Sequence, residues 1–149
     1  MTIALDASAA LAWSFHDERN AYVVAALEYV ERHGALVPAL WPAEVVQAVL
    51  KAERRRRIKE EDSIRLFEAL RALPIRVATE AEAVSFPQLA LARQHAISAY
   101  DATYLAMALR FGIPLASNDK QLMAAAHSLG IGWSPPRNAL RARTKKARK

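Results

Sequence analysis

One phrase recurs three times in this chain and narrows the folds open to it: an amphipathic segment, a glycine, then a short apolar run. Residues 22–33 lead through Gly34 into Ala-Leu-Val, residues 99–111 through Gly112 into Ile-Pro-Leu-Ala, and residues 120–129 through Gly130 into Ile-Gly-Trp. A glycine in that place takes the positive φ that ends a helix at little cost. A fourth instance, residues 66–73 into Ile75-Arg-Val-Ala, uses Pro74 as the stop. Tyr22, Val23, Ala26, Leu27 and Val30 share one helix face, as do Val45, Val46, Val49 and Leu50 after Trp41-Pro42. The runs 3–5, 35–37, 75–78, 114–116 and 131–133 are too brief for helices and lack polar alternation, as strands covered on both faces do. Strands alternating with helices predict an α/β fold, a three-layer α/β/α sandwich with a central parallel sheet.

The 149 residues suit one domain with a core of its own. Without cysteine, disulfide scaffolds, thiolate metal sites and cysteine nucleophiles drop out. None of the four glycines forms a phosphate-cradling GxGxxG or GxxxxGK loop. No segment reads as a membrane span or secretory signal, so a cytoplasmic protein is expected. The net charge of +6 is unevenly spread. Residues 137–149 hold seven of the 21 basic residues and no acid, leaving 14 basic against 15 acidic groups in residues 1–136, a net of −1. The expected organisation is a near-neutral domain over 1–136 and a flexible basic tail over 137–149.

Ligands of open α/β sheets bind beyond the carboxyl ends of the strands. Asp6 ends the first strand and Asp119 follows the fourth, so two acids distant in sequence face one sheet edge. Glu44 falls in the first turn after Pro42, and Asp101 opens a helix, sharing its spacing with Tyr104, Leu105, Ala108 and Leu109. Gathered carboxylates repel unless a cation intervenes. Mg²⁺ or Mn²⁺ takes such oxygen ligands together with substrate phosphates. Each acid also has a plainer reading as a helix cap or dipole partner: Asp6 before a helix near Ser8, Asp119 before residues 120–129, Glu44 and Asp101 in first turns. The four histidines (His16, His33, His95, His127) read as helix-face or helix-end residues, and Trp13, Trp41 and Trp133 as core or interface.

Asp6-Ala-Ser8 after an apolar strand is similar to the opening of PIN-domain ribonucleases. Pro38-Ala-Leu-Trp-Pro-Ala-Glu44 resembles their second acidic motif, Tyr100-Asp-Ala-Thr-Tyr-Leu-Ala106 the third, and Ser117-Asn-Asp119 the fourth. The resemblance spans residues 2–134 and is closest to the VapC-type toxins of bacterial toxin–antitoxin modules. It implies a PIN-like sandwich and Mg²⁺- or Mn²⁺-dependent endonucleolytic cleavage of RNA. Asp6, Glu44, Asp101 and Asp119 would take the catalytic and metal positions, with Ser8 and Ser117 as supporting polar groups. It further implies a homodimer silenced by a cognate antitoxin protein.

Arg54, Arg55, Arg56 and Arg57 end the Glu44 helix, either as a solvated terminus or as an RNA backbone grip. Two rival functions remain. One is a non-catalytic nucleic-acid- or protein-binding module on the same fold. The other is a phosphotransfer domain, disfavoured because no acceptor-like aspartate stands at the third strand.

Overall fold

The structure, a computed structural model, describes residues 1–79 and 86–136. The expectation of a flexible tail over 137–149 lies outside them.

Four short strands form one parallel sheet: β1 (Ile3–Leu5), β2 (Ala35–Val37), β3 (Ile75–Val77) and β4 (Leu115–Ala116), in the order β3-β2-β1-β4. Between β1 and β2 lie α1 (Ala7–Ala12) and α2 (Ala21–His33); between β2 and β3, α3 (Trp41–Arg54) and α4 (Glu60–Ala72). Between β3 and β4 lie α5 (Pro87–His95) and α6 (Ala99–Phe111), and α7 (Lys120–Ser128) follows β4. The chain thus steps outward from β1 to β3, then returns to β1's other side. Right-handed crossovers in opposite directions put the two groups of helices on opposite faces. This is the expected sandwich, and its winding reverses between β1 and β4. Ile3, Ala4, Leu5, Leu115 and Ala116 are wholly buried there, with Val23, Val30, Tyr104, Leu105 and Leu122 packed in the same core.

Gly34 links α2 to β2 at φ 76° and ψ 168°, a region only glycine occupies without strain. A Cβ there would come within 3.0 Å of the Pro74 carbonyl oxygen, on the neighbouring chain entering β3. Gly34→Ala is expected to cost about 2 kcal/mol from the backbone conformation. Urea denaturation measures it.

Several expected boundaries change. The helix expected over 66–73 begins six residues earlier, at Glu60, because Glu60, Glu61 and Asp62 suit the positive end of a helix dipole while carrying no apolar signal. The strand over 75–78 ends at Val77 and is an edge strand, with Val77 half exposed, not covered on both faces. The strand expected over 131–133 shrinks to a single parallel bridge between Leu115 and Gly132, held by two hydrogen bonds of 2.7 and 2.8 Å. Pro135 and Pro136 lack the N–H groups that would extend it. On α3 the buried line is Trp41, Val45, Val49 and Ala52, whereas Val46 and Leu50 lie exposed.

Candidate active site

Beyond the carboxyl ends of β1 and β4, at the point where the winding reverses, an open parallel sheet leaves a crevice between diverging loops. Asp6 sits on one side of it. Its backbone N–H donates to the Ala116 carbonyl at 3.0 Å, extending the β1–β4 ladder by one residue. Its carbonyl accepts from Ala9 and Ala10 at the start of α1, so Asp6 is the N-cap by backbone, yet its side chain makes no capping bond. The carboxylate turns instead toward β4, where Oδ2 accepts from Ser8 Oγ and, at 2.7 Å, from Ser117 Oγ. The two hydroxyls are 3.1 Å apart. Asp6 is only 6% exposed and Ser117 2%. A carboxylate so deep requires donors, and these two serines supply them.

The loop after β4 closes the same network. Ser8 Oγ accepts from the Asn118 backbone N–H at 3.0 Å, and Ser117 Oγ accepts from the Asp119 N–H at 2.9 Å. Asn118 Oδ1 accepts from Asn20, which in turn caps α2 through Val23. Asp119 behaves differently from Asp6: its Oδ1 accepts from the Leu122 N–H at 2.8 Å, a helix N-cap for α7. Asp119→Ala is therefore expected to cost about 1 kcal/mol in the metal-free protein, and Asp119→Asn much less, because asparagine caps equally well. Thermal unfolding of both variants measures the difference.

Glu44 and Asp101 reach the edge from helices on opposite faces of the sheet. Glu44 lies in the first turn of α3 and is half-buried; its Oε2 accepts from the Tyr104 phenol. Asp101 is half-buried in the first turn of α6, where Ser98, not Asp101, is the cap, accepting from the Asp101 N–H at 3.0 Å. Burial pushes the Asp6 carboxyl above the usual carboxylate range; the Ser8 and Ser117 donors oppose this and the charge of Asp101 adds to it. Glu44 is raised likewise, first by burial, against the Tyr104 hydrogen bond and with the charges of Asp6 and Asp101. The charge of Asp101 thus reaches both Asp6 and Glu44. Among the described residues no lysine or arginine is ion-paired with any of the four.

That donor set, all hard oxygens with uncompensated negative charge, fits Mg²⁺ or Mn²⁺ in chemistry. In position it is looser. Among the described residues no three carboxylate, histidine or cysteine side chains stand close enough to enclose an ion. Asp6, Glu44 and Asp119 each direct an oxygen at a protein donor instead.

Sequence reasoning left Tyr104 in the apolar stripe of α6, and the structure puts its hydroxyl on Glu44. The signal was available: a tyrosine among aliphatic core positions, one turn after Asp101, needs a partner for its O–H. Of the arginine run, Arg54, Arg55 and Arg56 are exposed and Arg56 turns the chain at φ 55°. Arg57 is engaged: it pairs with Asp17 at 2.9 Å and Glu18 at 3.0 Å and lies over the Phe15 ring. Trp133 packs edge-on against Tyr22 and Tyr29, the core role expected of it.

An open parallel α/β sandwich with acids collected at its switch point defines the class. The chain belongs to the PIN domain family, matching it over residues 3–128. Members of that family are generally metal-dependent nucleases. Among solved structures, PAE2754 from Pyrobaculum aerophilum is similar in fold, with a TM-score of 0.61 and 22% sequence identity. The match covers 84% of this chain and 79% of that one. No curated protein matches the chain. Among the described residues no helix is long and apolar enough to cross a membrane.

Proposed function

We propose that this protein is a Mg²⁺- or Mn²⁺-dependent endoribonuclease, the toxin of a bacterial type II toxin–antitoxin pair. The observation that carries the reading is the buried Asp6 carboxylate at the sheet's switch point, bonded by Ser8 and Ser117, with the charge of Asp101 reaching both Asp6 and Glu44 and no basic counter-ion among the described residues. These three would hold the cation, with Asp119 at the margin of the site. When bound, such an ion supplies Lewis-acid stabilisation of a phosphodiester and activation of water. The chain's own groups do the arranging. Ser8 and Ser117 both donate to Asp6 Oδ2, Tyr104 donates to Glu44, and the backbone N–H groups of Asn118 and Asp119 donate to the serines. No histidine is needed as a base. Arg54, Arg55 and Arg56 are available to a phosphate backbone, whereas Arg57 is held by Asp17 and Glu18. A homodimer and a cognate antitoxin complete the proposal.

A second reading is a non-catalytic PIN-like binding module, in which Asp6, Glu44 and Asp119 serve the protein donors they already accept from. One experiment separates the two. The purified chain is incubated with structured RNA in Mg²⁺, Mn²⁺ or a chelator. Internal cleavage with either cation, abolished by chelation and by Asp101→Asn, is the expected result. RNA retention without cleavage under every condition would favour the binding module.

A further inference from the structure

Tyr104 is wholly buried, and among the buried residues of α6 (Ala102, Tyr104, Leu105, Met107, Ala108) it alone carries a side-chain hydrogen-bond donor. The ring belongs to the core, but its hydroxyl does not finish on a backbone carbonyl. It crosses from α6 to α3 and donates to Glu44 Oε2. Asp101 lies one turn earlier on the same helix, and residues three apart on a helix are neighbours. Burial and the nearby charges of Asp6 and Glu44 push the phenol far up, against a smaller opposing effect of the Ala7 backbone N–H. Among the described residues Glu44 Oε1 has no protein donor, so the phenol distinguishes the two oxygens.

We propose that Tyr104 is the positioning residue for Glu44: its O–H holds Oε2 and thereby presents Oε1 to the acidic edge formed with Asp6 and Asp101. This rests on the divalent-cation reading of the site. Outer partners of metal-binding carboxylates act in this way, setting ligand orientation without touching the ion.

The test uses the full chain and Mn²⁺ itself, titrated by electron paramagnetic resonance without RNA. Tyr104→Phe keeps the ring that fills the core and removes only the donor. It is expected to weaken Mn²⁺ binding about tenfold or more, the usual cost of losing such a partner. In a Glu44→Gln background, adding Tyr104→Phe should bring no further loss, because the residue it orients is already disabled. Equal Mn²⁺ affinity in the wild type and Tyr104→Phe would overturn the inference. So would an undiminished loss in the Glu44→Gln background, which would mean that Tyr104 acts by another route. Absence of Mn²⁺ uptake by the wild-type chain would remove the cation reading and this inference together, whereas normal uptake by Tyr104→Phe removes the inference alone.

Discussion

Asp6→Asn is expected to lower cation-dependent RNA cleavage by more than about 100-fold, beyond what even outer partners of a metal cost, while making the metal-free protein more stable at neutral pH. The two signs come from one group. Asp6 is nearly shielded from water, accepts from Ser8 and Ser117, and feels the charge of Asp101. Asparagine keeps an oxygen for the serine hydroxyls and removes the charge that burial and Asp101 oppose. The gain is expected as a higher Tm for the variant than for the wild type in the absence of cation. Its pH dependence follows from the raised Asp6 carboxyl. Between the unfolded value, near 3.8, and the higher folded one, the native state binds more protons than the unfolded state. Wild-type stability from this group is therefore complete below the unfolded value and falls as pH rises through the folded one. The advantage of Asp6→Asn should accordingly vanish below the unfolded value and grow as pH rises through the folded one. Thermal unfolding across that range, beside a cleavage assay, measures both. If Asp6 were only a structural partner, the variant would lose stability and keep its activity.

The sheet edge was legible in the sequence because its signals are local. An apolar triplet followed by an acid marks the end of a buried strand, and Gly34 and Gly112 mark helix ends by a conformation few other residues accept. Ala99–Phe111 is a helix over the span its terminal glycine implies. What the sequence obscured depends on neighbours distant along the chain. Nothing in Ile75-Arg-Val announces that no strand follows on its outer side, and edge position is what exposes Val77. Val46 and Leu50 share a broad stripe with Val45 and Val49, yet the core of this small sandwich admits only the line through Trp41, Val45, Val49 and Ala52. Spacing identifies a face; packing decides its width.

The four acids show the same limit. Their positions at strand and helix ends are a matter of order along the chain, but what each carboxylate does there is a matter of donors. Asp6, in an N-cap position, bonds one serine in the first turn of α1 and another in the loop after β4, and leaves the cap unmade. Asp119, in another N-cap position, makes the cap. Those outcomes separate two residues that look alike in sequence, because Ser117 lies beside Asp6 only after β1 and β4 have paired. Tyr104 was hidden for the converse reason: its ring satisfies the apolar pattern completely, and only its hydroxyl belongs to the site.

Metal-free and cation-loaded protein are expected to respond to pH in opposite directions. Without a cation, Asp6 and Glu44 both have raised carboxyls, chiefly through burial, so each contributes less to stability as pH climbs from about their unfolded values, 3.8 and 4.5, through their folded ones. Binding reverses the slope. A cation takes the ionised carboxylates, so its affinity grows as protons leave, and ligand that binds only the folded chain stabilises it. At a hundredfold excess over its dissociation constant, Mg²⁺ or Mn²⁺ should add about 2.7 kcal/mol near pH 8 and little near pH 4. From these two groups, the metal-free protein loses stability as pH rises, whereas the cation-loaded protein gains it. Asp6→Asn and Asp101→Asn should each remove most of the cation-dependent increment. Asp119→Asn tests whether the α7 cap residue also serves the ion, since that substitution retains the cap and deletes only the charge. Calorimetric scans with and without cation at both pH values decide the matter. A cation increment that does not grow with pH would mean that Mg²⁺ binds elsewhere, and the carboxylates at the switch point would then be buried charge without a ligand.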